Sequence, residues 1–98
     1  MSAYAIITRE HTRNPDELKQ YGEAAKAARA GHEITALAFY GETVTLEGAS
    51  AESAVILEFP DMAAARAWYE SPAYQAAKQH RHLGADYRVI LVDGVKPA

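Results

Sequence analysis

Short apolar runs alternate with amphipathic stretches along the chain, and this pattern predicts the order of strands and helices. Ala3 to Arg9 is an apolar run with two isoleucines, which is typical of a strand buried on at least one face. Asn14-Pro15 then marks a helix start, because asparagine can cap the first turn and proline fits the first helical position. Apolar residues at helical spacing follow, and Gly31 is the predicted stop of this helix.

The middle of the chain carries two strand-like runs, from Ile34 to Tyr40 and from Thr43 to Glu47, separated by Gly41-Glu42. This short turn predicts that the two runs form a hairpin. Ser53 to Phe59 is the most apolar stretch, which predicts a central strand. Pro60 ends that strand, because proline cannot donate a hydrogen bond to a ladder.

Two helices and a strand are predicted in the last third of the chain. Asp61 caps a helix from Met62 to Glu70. Ser71-Pro72 begins a second helix that runs to about Leu83. The apolar run from Tyr87 to Val92 predicts the final strand.

The order of elements predicts one α+β domain over residues 1–98, with the ferredoxin-like βαββαβ arrangement and the middle hairpin as an addition. Residues 95–98 are expected to form a flexible tail. Both helical regions would cover one face of an antiparallel sheet. The other face would be apolar and bare, and so large an apolar patch is rarely left in water. We therefore expect a homodimer in which two open sheet faces meet.

Composition narrows the classes of function. The chain has 98 residues, a net charge of −3 and no cysteine. The acidic balance and the lack of a basic run argue against nucleic-acid binding. The lack of cysteine excludes disulfides, thiolate nucleophiles and zinc–cysteine sites. The chain has neither the basic start of a signal peptide nor the run of about 20 apolar residues that spans a membrane, so a cytoplasmic protein is expected.

Three segments carry a family resemblance: SAVILEFPDMAAARAWYESPAYQAA, the ending YRVILVDG and the middle GETVTLEG. Together they resemble the domain of unknown function 1330 family over nearly the whole chain. The most specific part is the strand–Pro–helix–Ser-Pro unit that carries Trp68, Tyr69 and Tyr74. The resemblance implies a dimeric α+β barrel, related in fold to small monooxygenases and muconolactone isomerases, with no settled reaction. Members often carry Gly-Gly and an arginine in the second strand, where this chain has Phe39 and Tyr40.

Glu58 is the first candidate for acid–base chemistry. It stands near the end of the most apolar strand, and alternation puts it on the same face as Ala54 and Ile56. A carboxyl group that points into a partly closed apolar cavity can serve as a general acid or base. The alternatives are a structural salt bridge to Arg9 or Arg88, since ion pairs of that kind mimic functional ones, and simple exposure at the end of the strand.

Two histidines are the other catalytic candidates. His11 follows the first strand, and His80 shares an apolar stripe of the last helix with Ala76, so a proton-shuttle role is possible for either. The alternative for His11 is an exposed loop residue, and the alternative for His80 is a hydrogen-bonded packing residue. Arg81 and His82 fall off that stripe and are expected in solvent. No metal site is predicted, because no histidine pair has the i,i+4 spacing of a helical site.

Arg9, Trp68, Tyr74 and Arg88 are candidates for ligand binding, although Trp68 is expected mainly to cover the sheet. The fold favours a cofactor-independent enzyme or a small-molecule binder that uses the cavity between sheet and helices. The alternative is a non-enzymatic ligand-sensing or protein-interaction module. No cofactor is predicted, and haem binding, which relatives of this fold show, is a third alternative. The expected partners are a second copy of the chain and a small molecule, with neither nucleic acid nor membrane.

Overall fold

The computed structural model describes residues 2–95, in which one antiparallel sheet has the strand order β2-β3-β1-β4. The elements are β1 (Ala3–Thr12), α1 (Pro15–Ala27), β2 (Thr35–Phe39), β3 (Ser53–Phe59), α2 (Met62–Glu70), α3 (Pro72–Gly84) and β4 (Ala85–Asp93). This is the predicted ferredoxin-like arrangement, with β3 and β1 in the centre. Of the predicted flexible tail, residues 96–98 lie outside the described residues.

The predicted middle hairpin is wrong. Residues 40–52 contain no strand, and Thr43 to Glu47 has no regular secondary structure and leaves Val44 and Leu46 exposed. Tyr40 adopts a left-handed φ of 58°, which turns the chain out of line with β2. The polar groups of the segment then bond locally, as in the hydrogen bond from the Thr43 hydroxyl to the Gly41 carbonyl. Alternation alone therefore did not make a strand here.

The helix starts follow the predicted caps. The Asn14 side chain accepts hydrogen bonds from the backbone N–H groups of Asp16 and Glu17. Asp61 accepts from Ala64 in the same way, and Ser71 caps α3. The predicted end of α1 at Gly31 is wrong, because the helix ends at Ala27. Gly31 has a left-handed φ and belongs to the turn that follows. None of the helices within residues 2–95 is long and apolar enough to cross a membrane.

The two faces of the sheet differ as the sequence predicts. In β3, Ser53, Val55, Leu57 and Phe59 are buried, whereas the alternate residues are partly exposed. The buried face packs against residues of all three helices, including Tyr21, Trp68 and Tyr74. The opposite face carries a row of three isoleucines that the strand register aligns, Ile6, Ile56 and Ile90. We refer to this second face as the open face.

Candidate functional site

A pocket of about 450 Å³ lies between α1 and the helix-covered face of the sheet. Its floor is apolar and is formed by Ile7 of β1 together with Val55 and Leu57 of β3. Trp68 of α2 borders it, with its ring 4.3 Å from the Tyr74 ring and 5.3 Å from the Phe59 ring, centroid to centroid. The volume falls within the range of small-molecule sites in proteins, and the apolar floor is typical of them.

One stripe of α1 forms a wall of the pocket. It includes Gly22, Ala25 and Lys26, which recur at helical spacing, and Arg29 continues the wall in the turn that follows the helix. A Cβ atom added at Gly22 would meet nothing within 4 Å, so a side chain there would occupy open space in the pocket. Lys26 and Arg29 are the charged members among the described lining residues, and none of these is acidic. The wall therefore favours anions over cations.

Two tyrosines join at the inner side of the pocket. The Tyr21 and Tyr74 hydroxyl oxygens lie 2.9 Å apart, and Tyr74 is fully buried. Nη1 of Arg81 donates a long hydrogen bond of 3.4 Å to the Tyr74 hydroxyl. The guanidinium carbon of Arg81 lies 5.4 Å from the centroid of the Tyr87 ring, which is within cation–π range. We refer to Tyr21, Tyr74 and Arg81 as the tyrosine–arginine chain.

Burial keeps the tyrosines of this pocket protonated. It raises the pKa of the Tyr21 phenol well above the ordinary value, and the adjacent Tyr74 adds to the effect. Burial also raises the pKa of Tyr74, and the positive charge of Arg81 offsets part of that rise. The pKa of Tyr40 at the end of β2 is raised by burial and by the nearby Tyr87. These phenols are therefore neutral hydrogen-bond donors at neutral pH.

Arg81 was expected in solvent, and that prediction is wrong, because only 4% of its surface is exposed. The buried stripe of α3 is Tyr74, Ala77, Arg81 and Gly84, rather than the stripe that contains Ala76 and His80. Gly84 helps to set which side of α3 faces α1, since a Cβ at this position would lie 2.7 Å from Cδ2 of Leu18 in α1. The 3-4-3 spacing of one tyrosine and two small residues is the signal that would have placed Arg81 on the buried side.

The four ligand-binding candidates separate into two groups. Trp68 and Tyr74 border the pocket. Arg9 lies near the end of β1, where its Nε is 3.1 Å from Oε1 of Glu52, and Arg88 lies opposite Thr8 on the open face. Hydrogen bonds from the hydroxyl and the backbone N–H of Thr12, helped by Arg9, hold the pKa of the Glu52 carboxyl below its ordinary value. Arg9 is thus engaged in joining the end of β1 to the start of β3.

Glu58 lies on the open face, as alternation predicts, and outside the pocket. It stands opposite Tyr4 of β1 and Thr35 of β2. The alternative of a salt bridge to Arg9 or Arg88 is wrong, because within residues 2–95 Glu58 forms no ion pair. Arg9 faces Ser53, at the other end of β3 and about 17 Å away at the usual rise per residue.

The two candidate histidines are far from Glu58 in the fold. Nδ1 of His80 lies 2.7 Å from Oε2 of Glu17, and this contact joins α3 to α1. His11 is exposed near the end of β1, opposite Asp86. The structure therefore does not bring the three catalytic candidates together. Over the described part of the chain, no group of three His, Asp or Glu side chains could hold a metal ion.

The sequence matches one family model, described as a domain of unknown function (DUF1330), over residues 2–95. No curated protein matches the sequence.

Solved structures share the fold at low sequence identity. A protein of unknown function from Rhodopseudomonas palustris is 21% identical with a TM-score of 0.71, over 98% of this chain and 84% of that one. A dimeric ferredoxin-like protein of unknown function from Thermobifida fusca is 18% identical with a TM-score of 0.65, over 95% and 91%. SnoaB, a cofactor-independent oxygenase from Streptomyces nogalater, is 11% identical with a TM-score of 0.62, over 98% and 95%. These similarities show the ferredoxin-like fold.

Proposed function

The chain belongs to the DUF1330 family, a domain of unknown function, and we propose that it forms a homodimer that binds a small molecule in the pocket between α1 and the sheet. The observation that carries the proposal is the pocket itself, about 450 Å³ in volume with an apolar floor and a pair of phenols at its inner side. Binding sites for small molecules combine such an apolar surface with a few placed polar groups.

Gly22 supports the same proposal from the side of the helix. A glycine inside a helix is unfavourable by about 0.5–1 kcal/mol relative to alanine. At this position the backbone faces open pocket space, so the missing side chain leaves room for a ligand. Helix stability alone would favour a larger residue at position 22. The glycine instead keeps this part of the pocket wide.

Cofactor-independent chemistry in this pocket is the enzymatic form of the proposal. SnoaB, which shares the fold, is a cofactor-independent oxygenase. In this chain the titratable groups that border the pocket are three tyrosines, Lys26 and Arg29, whereas Glu58, His11 and His80 lie elsewhere. Ligand binding is thus the function that the geometry supports best, and catalytic roles for Glu58, His11 and His80 stay predictions.

The open face supports the homodimer. Ile6, Ile56 and Ile90 align across three strands, and Ile90 is 46% exposed. An apolar row of this kind marks an interaction surface. The similar protein from Thermobifida fusca is dimeric. The second candidate function is a protein-interaction module, in which a different protein covers the open face. The expected cytoplasmic location stays a prediction.

Fluorescence of the neutral probe N-phenyl-1-naphthylamine tests the binding pocket, because its emission rises in an apolar site. We expect the wild-type protein to bind the probe and Gly22→Leu to weaken binding at least tenfold, since the new side chain fills pocket space. Ala27→Leu is the matched control, because Ala27 is exposed on the same helix and does not line the pocket. Absence of probe binding, or equal binding by both variants, would contradict the proposal.

A further inference from the structure

Arg81 carries a buried positive charge that no acidic side chain balances. It is 4% exposed, and none of the ion pairs within residues 2–95 includes it. Its Nε is buried and has no hydrogen-bond partner among these residues. Its contacts are the Tyr74 hydroxyl and the face of the Tyr87 ring. A buried cation is unfavourable unless an anion or hydrogen bonds offset the loss of water, so the site is poised for an anion.

Either hydroxyl of the Tyr21–Tyr74 pair can donate the bond between them, and the contact with Arg81 favours donation from Tyr74. The Tyr74 oxygen accepts from Arg81, so the Tyr74 proton needs an acceptor of its own. Tyr74 is fully buried, and the oxygen 2.9 Å away on Tyr21 is the acceptor within reach. Donation from Tyr74 to Tyr21 pairs this buried proton within the protein, and we take this arrangement as part of the inference. The Tyr21 proton is then free to point to an acceptor outside the chain.

Tyr21 and Tyr74 both border the pocket, and a Tyr21 hydroxyl that accepts from Tyr74 keeps its own proton available for a ligand there. The positive charge of Arg81 acts along the two hydroxyls and strengthens Tyr21 as a donor, since linked hydrogen bonds polarise one another. Lys26 and Arg29 on the α1 wall add positive charge, and no described lining residue is acidic. The pocket thus combines an apolar aromatic interior with donors and positive charge.

We propose that the pocket selects small aromatic molecules that carry an anionic oxygen, and that this oxygen accepts a hydrogen bond from Tyr21. Arg81 is a positioning residue in this proposal, because it acts through Tyr74 and not by contact with the ligand. The proposal rests on the proposed function, since it names the chemical class of ligand for the same pocket. A carboxylate, a phenolate or an enolate on an aromatic ring has this chemistry.

Displacement of N-phenyl-1-naphthylamine by two matched competitors tests the proposal. 2-Naphthoate and 2-naphthamide share one ring system and nearly one shape, and differ in charge. We expect wild-type protein to bind the naphthoate about tenfold more tightly, the difference that one hydrogen bond to a charged group supplies. In Tyr21→Phe this preference is expected to fall to about twofold or less, because the naphthoate loses a hydrogen bond to a charged oxygen, whereas the naphthamide loses only a weaker bond to its neutral carbonyl.

A second variant separates the tyrosine–arginine chain from the charges on α1. The double substitution Lys26→Gln with Arg29→Gln removes both charges and leaves Tyr21 in place. We expect it to keep most of the naphthoate preference. Equal binding of the two competitors by the wild type, or a preference that survives Tyr21→Phe and disappears in the double variant, would overturn the proposal and leave the pocket function intact. Failure of N-phenyl-1-naphthylamine to bind at all would overturn the proposed function and this inference together.

Discussion

Two glycines in helices serve opposite purposes at the residue scale. Gly22 faces open pocket space, and Gly84 lies where α3 touches α1. We expect Gly22→Ala to raise the melting temperature by a few degrees, since alanine is favoured inside a helix by about 0.5–1 kcal/mol. Gly84→Ala is expected to lower it, because the new Cβ would lie 2.7 Å from Cδ2 of Leu18. Thermal unfolding followed by circular dichroism measures both, and opposite signs from those stated would contradict this account.

We expect the buried phenol of Tyr21 to lower the stability of the fold at high pH. Burial raises the Tyr21 pKa in the folded state, whereas the unfolded chain releases this proton near pH 10. Above about pH 10 the unfolded state therefore binds fewer protons than the folded state, and the free energy of unfolding falls as pH rises.

Urea unfolding of wild type and Tyr21→Phe at neutral pH and at about pH 9, 10 and 11 measures this dependence. Phenylalanine has no proton to release, so the variant is expected to lose less stability than the wild type over the alkaline range. Identical alkaline slopes for the two proteins would show that Tyr21 is not held in its protonated form by burial.

At the scale of elements, the pair between His80 and Glu17 links α3 to α1. Both side chains are partly exposed, so the pair contributes little to stability. We expect His80→Ala to change the free energy of unfolding by less than about 1 kcal/mol. Binding of N-phenyl-1-naphthylamine is expected to stay at the wild-type level, because His80 does not line the pocket. A large loss of probe binding with unchanged stability would instead assign His80 a functional role.

Local signals predicted most element boundaries, because caps and prolines act within a few residues. Asn14, Asp61 and Ser71 cap helices as expected. The ferredoxin-like arrangement, the two faces of the sheet and the position of Trp68 against it also follow from the sequence pattern. The middle hairpin failed because residues 43–47 alternate without an apolar surface to cover, a condition that only the tertiary structure decides.

The candidate site was predictable only in part. Trp68 and Tyr74 lie at the pocket, but Glu58, His11 and His80 were chosen for their chemistry and lie in three separate places. The burial of Arg81 is missed because the predicted stripe contains Ala76 and His80, whereas the buried stripe contains Ala77 and Gly84. Contact between a tyrosine of α1 and a tyrosine of α3 depends on helix packing, which the spacing within one helix does not encode.

At the largest scale, the exposed isoleucines of the open face lead us to predict a homodimer. We expect the wild type to be a dimer at micromolar concentration and Ile90→Glu to shift it toward monomer, because a charge would interrupt the row of isoleucines at the interface. Leu83→Glu is the matched control, since Leu83 is a comparably exposed apolar residue on α3, away from the sheet. Size-exclusion chromatography with light scattering measures both. A monomeric wild type, or equal dissociation by both substitutions, would contradict the predicted interface.

The most direct test of the binding pocket is a crystal structure of the wild-type protein soaked with 2-naphthoate. We expect density for the naphthalene ring between α1 and the sheet, over Ile7, Val55 and Leu57, with a carboxylate oxygen within hydrogen-bond distance of the Tyr21 hydroxyl. Naphthoate bound on the open face, or a pocket that stays free of it at a concentration that saturates the protein in solution, would contradict the account.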